Sequence, residues 1–151
     1  MNYLGVGNET HISIYHLSNL QIKTTLKITG NVTSFILNDR DQLIVSAKNS
    51  FIYVFPPPYN KITHTISLVP LATTIDYYRE GDSSHVLFYC PSNPNNIIYE
   101  YILNKEGVFS ELTIKQEVKG WAKYCAGTIS QIDGNTFSNP DFDKFNLDNP
   151  I

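Results

Sequence analysis

The side chains that most often carry catalysis or bind metals are sparse in this chain of 151 residues. Its histidines are His11, His16, His64 and His85, and no pair has the spacing of metal ligands with a third ligand close by. His11 and His16 are separated by five positions on a predicted strand, so their side chains point to opposite faces. We expect all the histidines to be exposed residues of strands and turns.

Other motifs that could do chemistry fail on the residues around them. Asp141-Phe142-Asp143 resembles the start of a calcium loop, but Phe145 and Asn146 occupy the places of a ligand and of the sharp-turn glycine. Gly5-Val6-Gly7 leads into a turn and a strand rather than a helix, so it does not predict a dinucleotide site. No P-loop and no Ser-centred nucleophile elbow is present in the sequence. The sequence therefore predicts no catalytic residue, no cofactor, no metal and no enzyme activity.

Two stretches have residue types suited to binding a protein. Asp39-Arg40-Asp41 is a charged run between predicted strands, where it is either a partner-binding turn or a solvated hairpin tip. Pro56-Pro57-Pro58-Tyr59 is either a polyproline ligand for an SH3 or WW domain or a rigid connection between strands. We favour the solvated tip and the rigid connection.

The elements that must position these residues are β-strands. From Val32 to Leu68, short apolar, β-branched and aromatic runs alternate with polar or proline-marked turns, a pattern typical of antiparallel strands. Four strands in about forty residues match the size of one propeller blade. The predicted strands of this unit are Val32–Leu37, Gln42–Ala47, Phe51–Phe55 and His64–Leu68.

Similar units flank this one. Asn2–Ile28 is typical of the later half of a blade. The segment after Leu68 predicts a further blade, with strands Thr73–Tyr78, His85–Cys90, Ile97–Leu103 and Val108–Ile114. The units repeat at a period of roughly 40–45 residues, which lies in the range of propellers. The repeat aligns Ile12 with Ile52 and Ile98, and it aligns Tyr15 with Phe55 and Tyr101.

We therefore predict an all-β chain that forms part of a WD40-like β-propeller, with about three blades of four antiparallel strands. Residues 1–126 are predicted to hold a partial first blade and blades at about 32–68 and 72–114. Residues 127–151 are predicted to form an acidic tail or an incomplete blade. Because propellers typically need four to eight blades, three alternatives follow. The chain is a piece of a larger propeller, another chain supplies the missing blades, or the strands close as a sandwich or barrel.

The charge of the chain restricts its partners. Up to Ala126 there are ten Lys or Arg and ten Asp or Glu, and the net charge of −3 arises entirely after that residue. A body without net charge lacks the basic stripe that phosphate backbones require, so nucleic-acid binding is disfavoured.

The cysteines and the N-terminus indicate the compartment. Cys90 and Cys125 are too few for a disulfide framework, and we expect each to be a small buried hydrophobic residue. The N-terminal residues lack the pattern of a signal peptide. A cytoplasmic protein is expected.

The order of strands and turns from Tyr3 to Leu103 resembles the PROPPIN family, the WIPI-type seven-bladed propellers of autophagy. Asn31–Phe35 is similar to the family's V-x-S-V strand, Asp41–Phe55 to its IVV-x-x-x-x-x-IYVY strand pair, and Lys61–Ile66 to its closing strand; Val86–Pro91 resembles its apolar strand that ends in proline. The resemblance implies a protein-interaction scaffold with protein partners and a peripheral place at phosphoinositide membranes.

The residues that would bind lipid in that family are not found here. The family's Phe-Arg-Arg-Gly motif is absent, and the only arginines are Arg40 and Arg79. A generic WD-repeat scaffold of another complex is the main alternative. A lactonase-type propeller enzyme is a further one, because Tyr99–Leu112 resembles its strand–turn pattern.

Overall fold

The structure, a computed structural model, describes residues 2–92, 95–110, 112 and 114–119. The predicted tail, Cys125 and the Asp141–Phe145 stretch lie outside these residues. Within the described part, no helix is long and apolar enough to cross a lipid bilayer. The strands are β1 (Tyr3–Gly7), β2 (His11–His16), β3 (Ile22–Lys27), β4 (Val32–Leu37), β5 (Leu43–Ala47), β6 (Phe51–Phe55), β7 (His64–Ser67), β8 (Thr74–Glu80), β9 (Ser83–Cys90), β10 (Asn95–Leu103) and β11 (Ile114–Lys119).

The strands form three antiparallel sheets in which each strand pairs with its neighbours in the chain. Sheet 1 contains β1 to β3, sheet 2 contains β4 to β7, and sheet 3 contains β8 to β11. The sheets are stacked in chain order, because β4 lies against β1 on one side and against β8 on the other. We call the side of a sheet that points towards the next sheet in the chain its forward face, and the opposite side its rear face.

Two apolar clusters hold the stack together. The forward face of sheet 1 packs on the rear face of sheet 2, and the forward face of sheet 2 packs on the rear face of sheet 3. The buried members of the first cluster are Ile12, Ile14, Ile28, Leu43, Val45, Phe55 and Tyr59. The second contains Ile44, Ile52, Val54, Leu68, Ala72, Ile75, Val86, Phe88, Cys90, Tyr99, Leu103 and Phe109.

The residues of the predicted repeat occupy equivalent packing positions in these clusters. Ile12 and Ile52 occupy the forward faces of sheets 1 and 2 and are buried against the next sheet. Phe55 and Tyr101 lie on rear faces and pack against the preceding sheet. The isoleucine and the aromatic residue three positions later therefore serve the two opposite faces of one strand, as the alternation of a strand requires.

Asparagine residues begin most of the hairpins. In five of them the side-chain Oδ1 accepts a hydrogen bond from the backbone N–H two residues later, at 2.9 to 3.1 Å. This Asx turn is the reason for asparagine's preference for turns. The residues are Asn8, Asn19, Asn38, Asn49 and Asn104.

The prediction of the last strand of sheet 3 was wrong. Of the described residues in the predicted strand Val108–Ile114, only Ile114 lies in a strand, as the first residue of β11, and Phe109 makes an isolated bridge to Leu103. The Asn104 turn accounts for the difference, because its Oδ1 also accepts the N–H of Val108 at 2.9 Å and so keeps the chain close to β10. Phe109 is then buried in the apolar cluster between sheets 2 and 3.

Candidate interaction surfaces

The charged run at the β4–β5 hairpin is not the solvated tip that the sequence predicted. Asp41 and Gln42 are buried. The buried Asn38 side chain accepts the N–H of Gln42 at 2.9 Å and donates to Gln42 Oε1 at 2.7 Å. Asp41 has a positive φ of 57°, which Asp tolerates in turns. The turn is folded inward because its polar groups find partners in the neighbouring sheets.

This hairpin joins the three sheets. The Asp41 carboxylate accepts the backbone N–H of Asn2, next to β1, at 2.8 and 3.0 Å. Gln42 Nε2 donates to the carbonyl oxygens of Asn104 and Lys105, in the turn after β10, at 2.9 and 3.2 Å. These groups link the sheets by hydrogen bonds and are not available to a partner.

The only two arginines of the chain are also engaged between sheets 2 and 3. Arg79 Nη1 lies 2.7 Å from the Asp39 carboxylate. Arg40 donates to the carbonyl oxygen of Asp82. Each guanidinium therefore has an acceptor within the protein.

The proline stretch connects β6 to β7, and its tyrosine is anchored in the core; the expectation of a rigid connection stays a prediction. Tyr59 is 1% exposed, and its hydroxyl donates to the Asp41 carbonyl oxygen at 2.6 Å. Burial, followed by the charge of Asp41, raises the pKa of Tyr59. Because a proline-rich ligand is read by its exposed side chains, this anchoring removes the tyrosine from recognition by an SH3 or WW domain.

Of the histidines that the sequence predicted to be exposed, only His11 is; His16 and His64 are half-buried, and the prediction was wrong for His85. This residue is buried on sheet 3, where its ring stacks on Tyr78 with centroids 4.6 Å apart. His85 Nδ1 lies 3.3 Å from Glu100 Oε2, and the Tyr78 hydroxyl donates to Glu100 Oε1 at 2.8 Å. Burial and this hydrogen bond raise the pKa of Tyr78 to about 12.

The buried Glu100 occupies the position that Ile14 and Val54 occupy in the other two sheets, on the forward face. A carboxylate at such a place is stable only with hydrogen-bond donors around it. The nearby tyrosine and histidine meet this need. The cluster therefore has a structural explanation, because its hydrogen bonds stabilise a buried carboxylate.

Cys90 is not positioned for nucleophilic chemistry. It is fully buried, as predicted, and burial raises the pKa of its thiol to about 12. Since the thiolate is the reactive form, this thiol is inert near neutral pH. Among the described residues, no group of three or more His, Cys, Asp or Glu side chains is arranged to hold a metal ion.

The rear face of sheet 1 has exposed apolar side chains. Leu4 and Val6 of β1 are 42% and 53% exposed, and Ile22 of β3 is 57% exposed. Cross-strand register places Leu4 beside Tyr15 and Tyr15 beside Ile22. Tyr15 of sheet 1 is therefore equivalent to Phe55 of sheet 2 and Tyr101 of sheet 3. In sheets 2 and 3 this aromatic ring packs on the preceding sheet.

No protein-family model matches the chain, and no curated protein matches it. Solved structures do match. BBS1N, in a complex with ARL6DN, is 19% identical with a TM-score of 0.55 over 78% of this chain. KlAtg21, in a complex with the coiled-coil of AgAtg16, is 13% identical with a TM-score of 0.52 over 74%. The Cps50 (Swd1) β-propeller domain of Myceliophteria thermophila is 10% identical with a TM-score of 0.51 over 87%.

These likenesses establish the fold but not a family. The chain is all-β and adopts part of a WD40-like β-propeller, which confirms the predicted fold class and excludes the sandwich or barrel. It spans 38% of the length of each of the three structures. The membership in the PROPPIN family and the division of the chain at residue 126 stay predictions.

Proposed function

We propose that this chain is a non-catalytic β-propeller scaffold that binds other proteins. The observation that carries the proposal is the propeller-like arrangement of three sheets, which matches BBS1N and KlAtg21, two solved proteins that are each in a complex with a protein partner. The polar clusters of the described residues are engaged in hydrogen bonds within sheet 3 and between the sheets.

The setting that we favour is autophagy. The sequence resembles the PROPPIN family, and KlAtg21 matches the structure as part of a complex with a coiled-coil. A coiled-coil protein is therefore the first class of partner to test. Binding of phosphoinositide membranes is assigned in this proposal to other parts of a complete propeller, because Arg40 and Arg79 are engaged within the protein.

A generic WD-repeat scaffold is the second candidate. The observation that favours it is the match to the Cps50 (Swd1) β-propeller domain, which covers 87% of this chain. Such a scaffold would bind other subunits of its own complex and neither an autophagy coiled-coil nor phosphoinositide.

The test is a direct binding measurement on the purified chain. We would immobilise the chain and titrate the AgAtg16 coiled-coil, with ARL6 as a second analyte. Saturable binding of the coiled-coil supports the autophagy scaffold, whereas binding of ARL6 alone supports a scaffold of another complex. Binding of neither analyte, together with hydrolysis of a sugar lactone above background, would overturn the proposal in favour of an enzyme.

Vesicle flotation gives an independent check of the lipid assignment. We expect the chain not to float with phosphoinositide-containing vesicles, because each of its two arginines already has an acceptor in the chain and the Phe-Arg-Arg-Gly motif is absent. Flotation that is lost when Arg40 and Arg79 are replaced by Gln would show that the chain carries the lipid site itself.

A further inference from the structure

His64, the first residue of β7, accepts a hydrogen bond that a protonated histidine cannot accept. The backbone N–H of Phe109 donates to His64 Nδ1 at 2.8 Å, and the centroids of the two rings lie 5.7 Å apart. A backbone N–H can only donate, so Nδ1 is the bare nitrogen of the ring and Nε2 carries the proton. A protonated imidazole has a hydrogen on both nitrogens and no acceptor. This hydrogen bond therefore exists only while His64 is neutral.

The hydrogen bond is one of the contacts that hold the turn after β10 against sheet 2. Phe109 is 5% exposed and packs in the apolar cluster between sheets 2 and 3. The Thr63 hydroxyl donates to the carbonyl oxygen of Gly107 at 2.7 Å, and Gln42 Nε2 donates to two earlier carbonyl oxygens of the same turn. Of the side chains of sheet 2 that bind this turn, His64 is the one whose charge changes between about pH 5 and 8. It is the pH-sensitive member of the joint.

Two other histidines have partners that tolerate protonation. His85 Nδ1 lies 3.3 Å from Glu100 Oε2, and its Nε2 lies 3.7 Å from Glu80 Oε2, so a proton adds attraction on both sides of the ring. His11 Nδ1 lies 2.7 Å from the Thr10 hydroxyl, which rotates and can donate or accept. Neither contact excludes the charged ring, whereas a backbone donor does.

The surroundings of His64 supply no fixed counter-charge in the part of the chain that the structure describes. Its cross-strand partner is the apolar Val54, and no described carboxylate forms an ion pair with its ring. The titratable residues on the elements around it are Lys61, Cys90, Tyr101, Lys105 and Glu106. Burial raises the pKa of Cys90 and of Tyr101, so both are uncharged between about pH 5 and 8. Glu106, the one carboxylate among these residues, is exposed.

We propose that His64 is a pH-sensitive switch between sheets 2 and 3. At neutral pH the uncharged ring binds the Phe109 N–H, and the turn after β10 stays docked on β7. In acid the ring takes up a proton, two N–H groups face each other, and the turn detaches. The detached state binds the proton more readily than the docked state, so acid favours detachment. An unperturbed histidine titrates near about pH 6.5, which sets the expected range. The switch goes beyond the proposed function and requires no partner.

Amide hydrogen exchange, read by NMR on the whole chain, tests the switch. We expect the protection factor of the Phe109 N–H to fall by at least about fivefold between pH 7.5 and 5.5, because a donor in a largely buried position loses its partner. The Tyr59 N–H, which donates to the carbonyl oxygen of Pro56 at 2.8 Å, should keep its protection. Proton–nitrogen correlation spectra of the imidazole rings at pH 7.5 should show the His64 proton on Nε2.

A matched pair of variants separates the hydrogen bond from the charge. Asparagine Oδ1 is as many bonds from Cα as histidine Nδ1, and it accepts at every pH. His64→Asn should therefore keep the Phe109 N–H protected at both pH values. His11→Asn makes the same change at an exposed histidine, and it should leave the pH dependence at Phe109 as it is in the unmodified chain.

Three results would overturn the switch. They are a proton on His64 Nδ1 at pH 7.5, a protection factor at Phe109 that does not change with pH, and an equal fall in the unmodified chain and in His64→Asn. The ring spectra need no variant, so they decide the matter even where His64→Asn does not fold. No partner enters these measurements, so their failure leaves the scaffold function intact, and a failure of coiled-coil or ARL6 binding leaves the switch intact.

Discussion

The hydroxyl of Tyr59 should contribute measurably to the stability of the stack. This group donates to the Asp41 carbonyl oxygen at 2.6 Å, at a position where the ring is 1% exposed. Tyr59→Phe keeps the ring and removes only the donor. The buried carbonyl is then left without its partner, which costs about 1–3 kcal/mol. A small protein is stable by only about 5–15 kcal/mol, so the loss is a large fraction of the total.

The assay is equilibrium unfolding in urea, followed by circular dichroism. We expect Tyr59→Phe to lower the free energy of unfolding by about 1–3 kcal/mol without a change in the denaturant slope. Tyr53→Phe is the matched control, because its hydroxyl accepts only from the exposed Asn49 side chain, at 2.9 Å. An exposed change of this kind should cost less than about 0.5 kcal/mol.

The reasoning would be refuted by two results. If both variants lose the same stability, the burial of the Tyr59 hydroxyl is not what matters. If Tyr59→Phe lowers the free energy of unfolding by less than about 0.5 kcal/mol, the Asp41 carbonyl oxygen accepts from another donor. The hydrogen bond between the hairpin and the proline loop is then weak.

Three further predictions concern buried groups. Gln42→Leu should lower the free energy of unfolding in urea by more than Tyr59→Phe, because it removes the partner of the buried Asn38 amide and of two carbonyl oxygens in the turn after β10; an equal or smaller loss would contradict this. In a Cys125→Ser background, Cys90 should react with a thiol reagent at pH 8 only as fast as the protein unfolds, since its pKa is raised to about 12; rapid reaction of the native protein would refute its burial. The pKa of Tyr78 is raised from 10.0 to about 12 in the folded state, so its contribution to stability is complete below pH 10 and is lost as the pH rises towards 12. In unfolding measured across this range, the decline should be shallower for Tyr78→Phe, and an identical decline would contradict the assignment.

The strands could be predicted from the sequence because their signals are local. β4 and β6 begin and end where alternating apolar residues meet turn residues, and the structure gives the predicted bounds, Val32–Leu37 and Phe51–Phe55. The repeat also aligned Ile12 with Ile52, and the structure buries both at equivalent positions, since a residue type recurs where the same packing recurs. These features depend on residues within a few positions of each other.

The polar interior could not be predicted, because it depends on residues distant in the sequence. Asp41 was assigned to a solvated turn, and nothing near it indicates that Asn2 and Tyr59 would enclose it. His85 was assigned to the surface for the same reason, although the alternation Ile98-Tyr99-Glu100 places its acceptor on an apolar strand face. A glutamate at a predicted core position is the one signal that could have located this cluster, because such a residue needs donors.

The connectivity of the sheets has a consequence for how the protein folds. Every ladder joins strands that are consecutive in the chain. Pairing between neighbours closes short loops, and chains dominated by such contacts fold faster than β-proteins whose pairings are distant in sequence. Sheet 2 can therefore assemble as soon as its own residues have left the ribosome, and it then offers a prepared surface to the sheet that is synthesised after it.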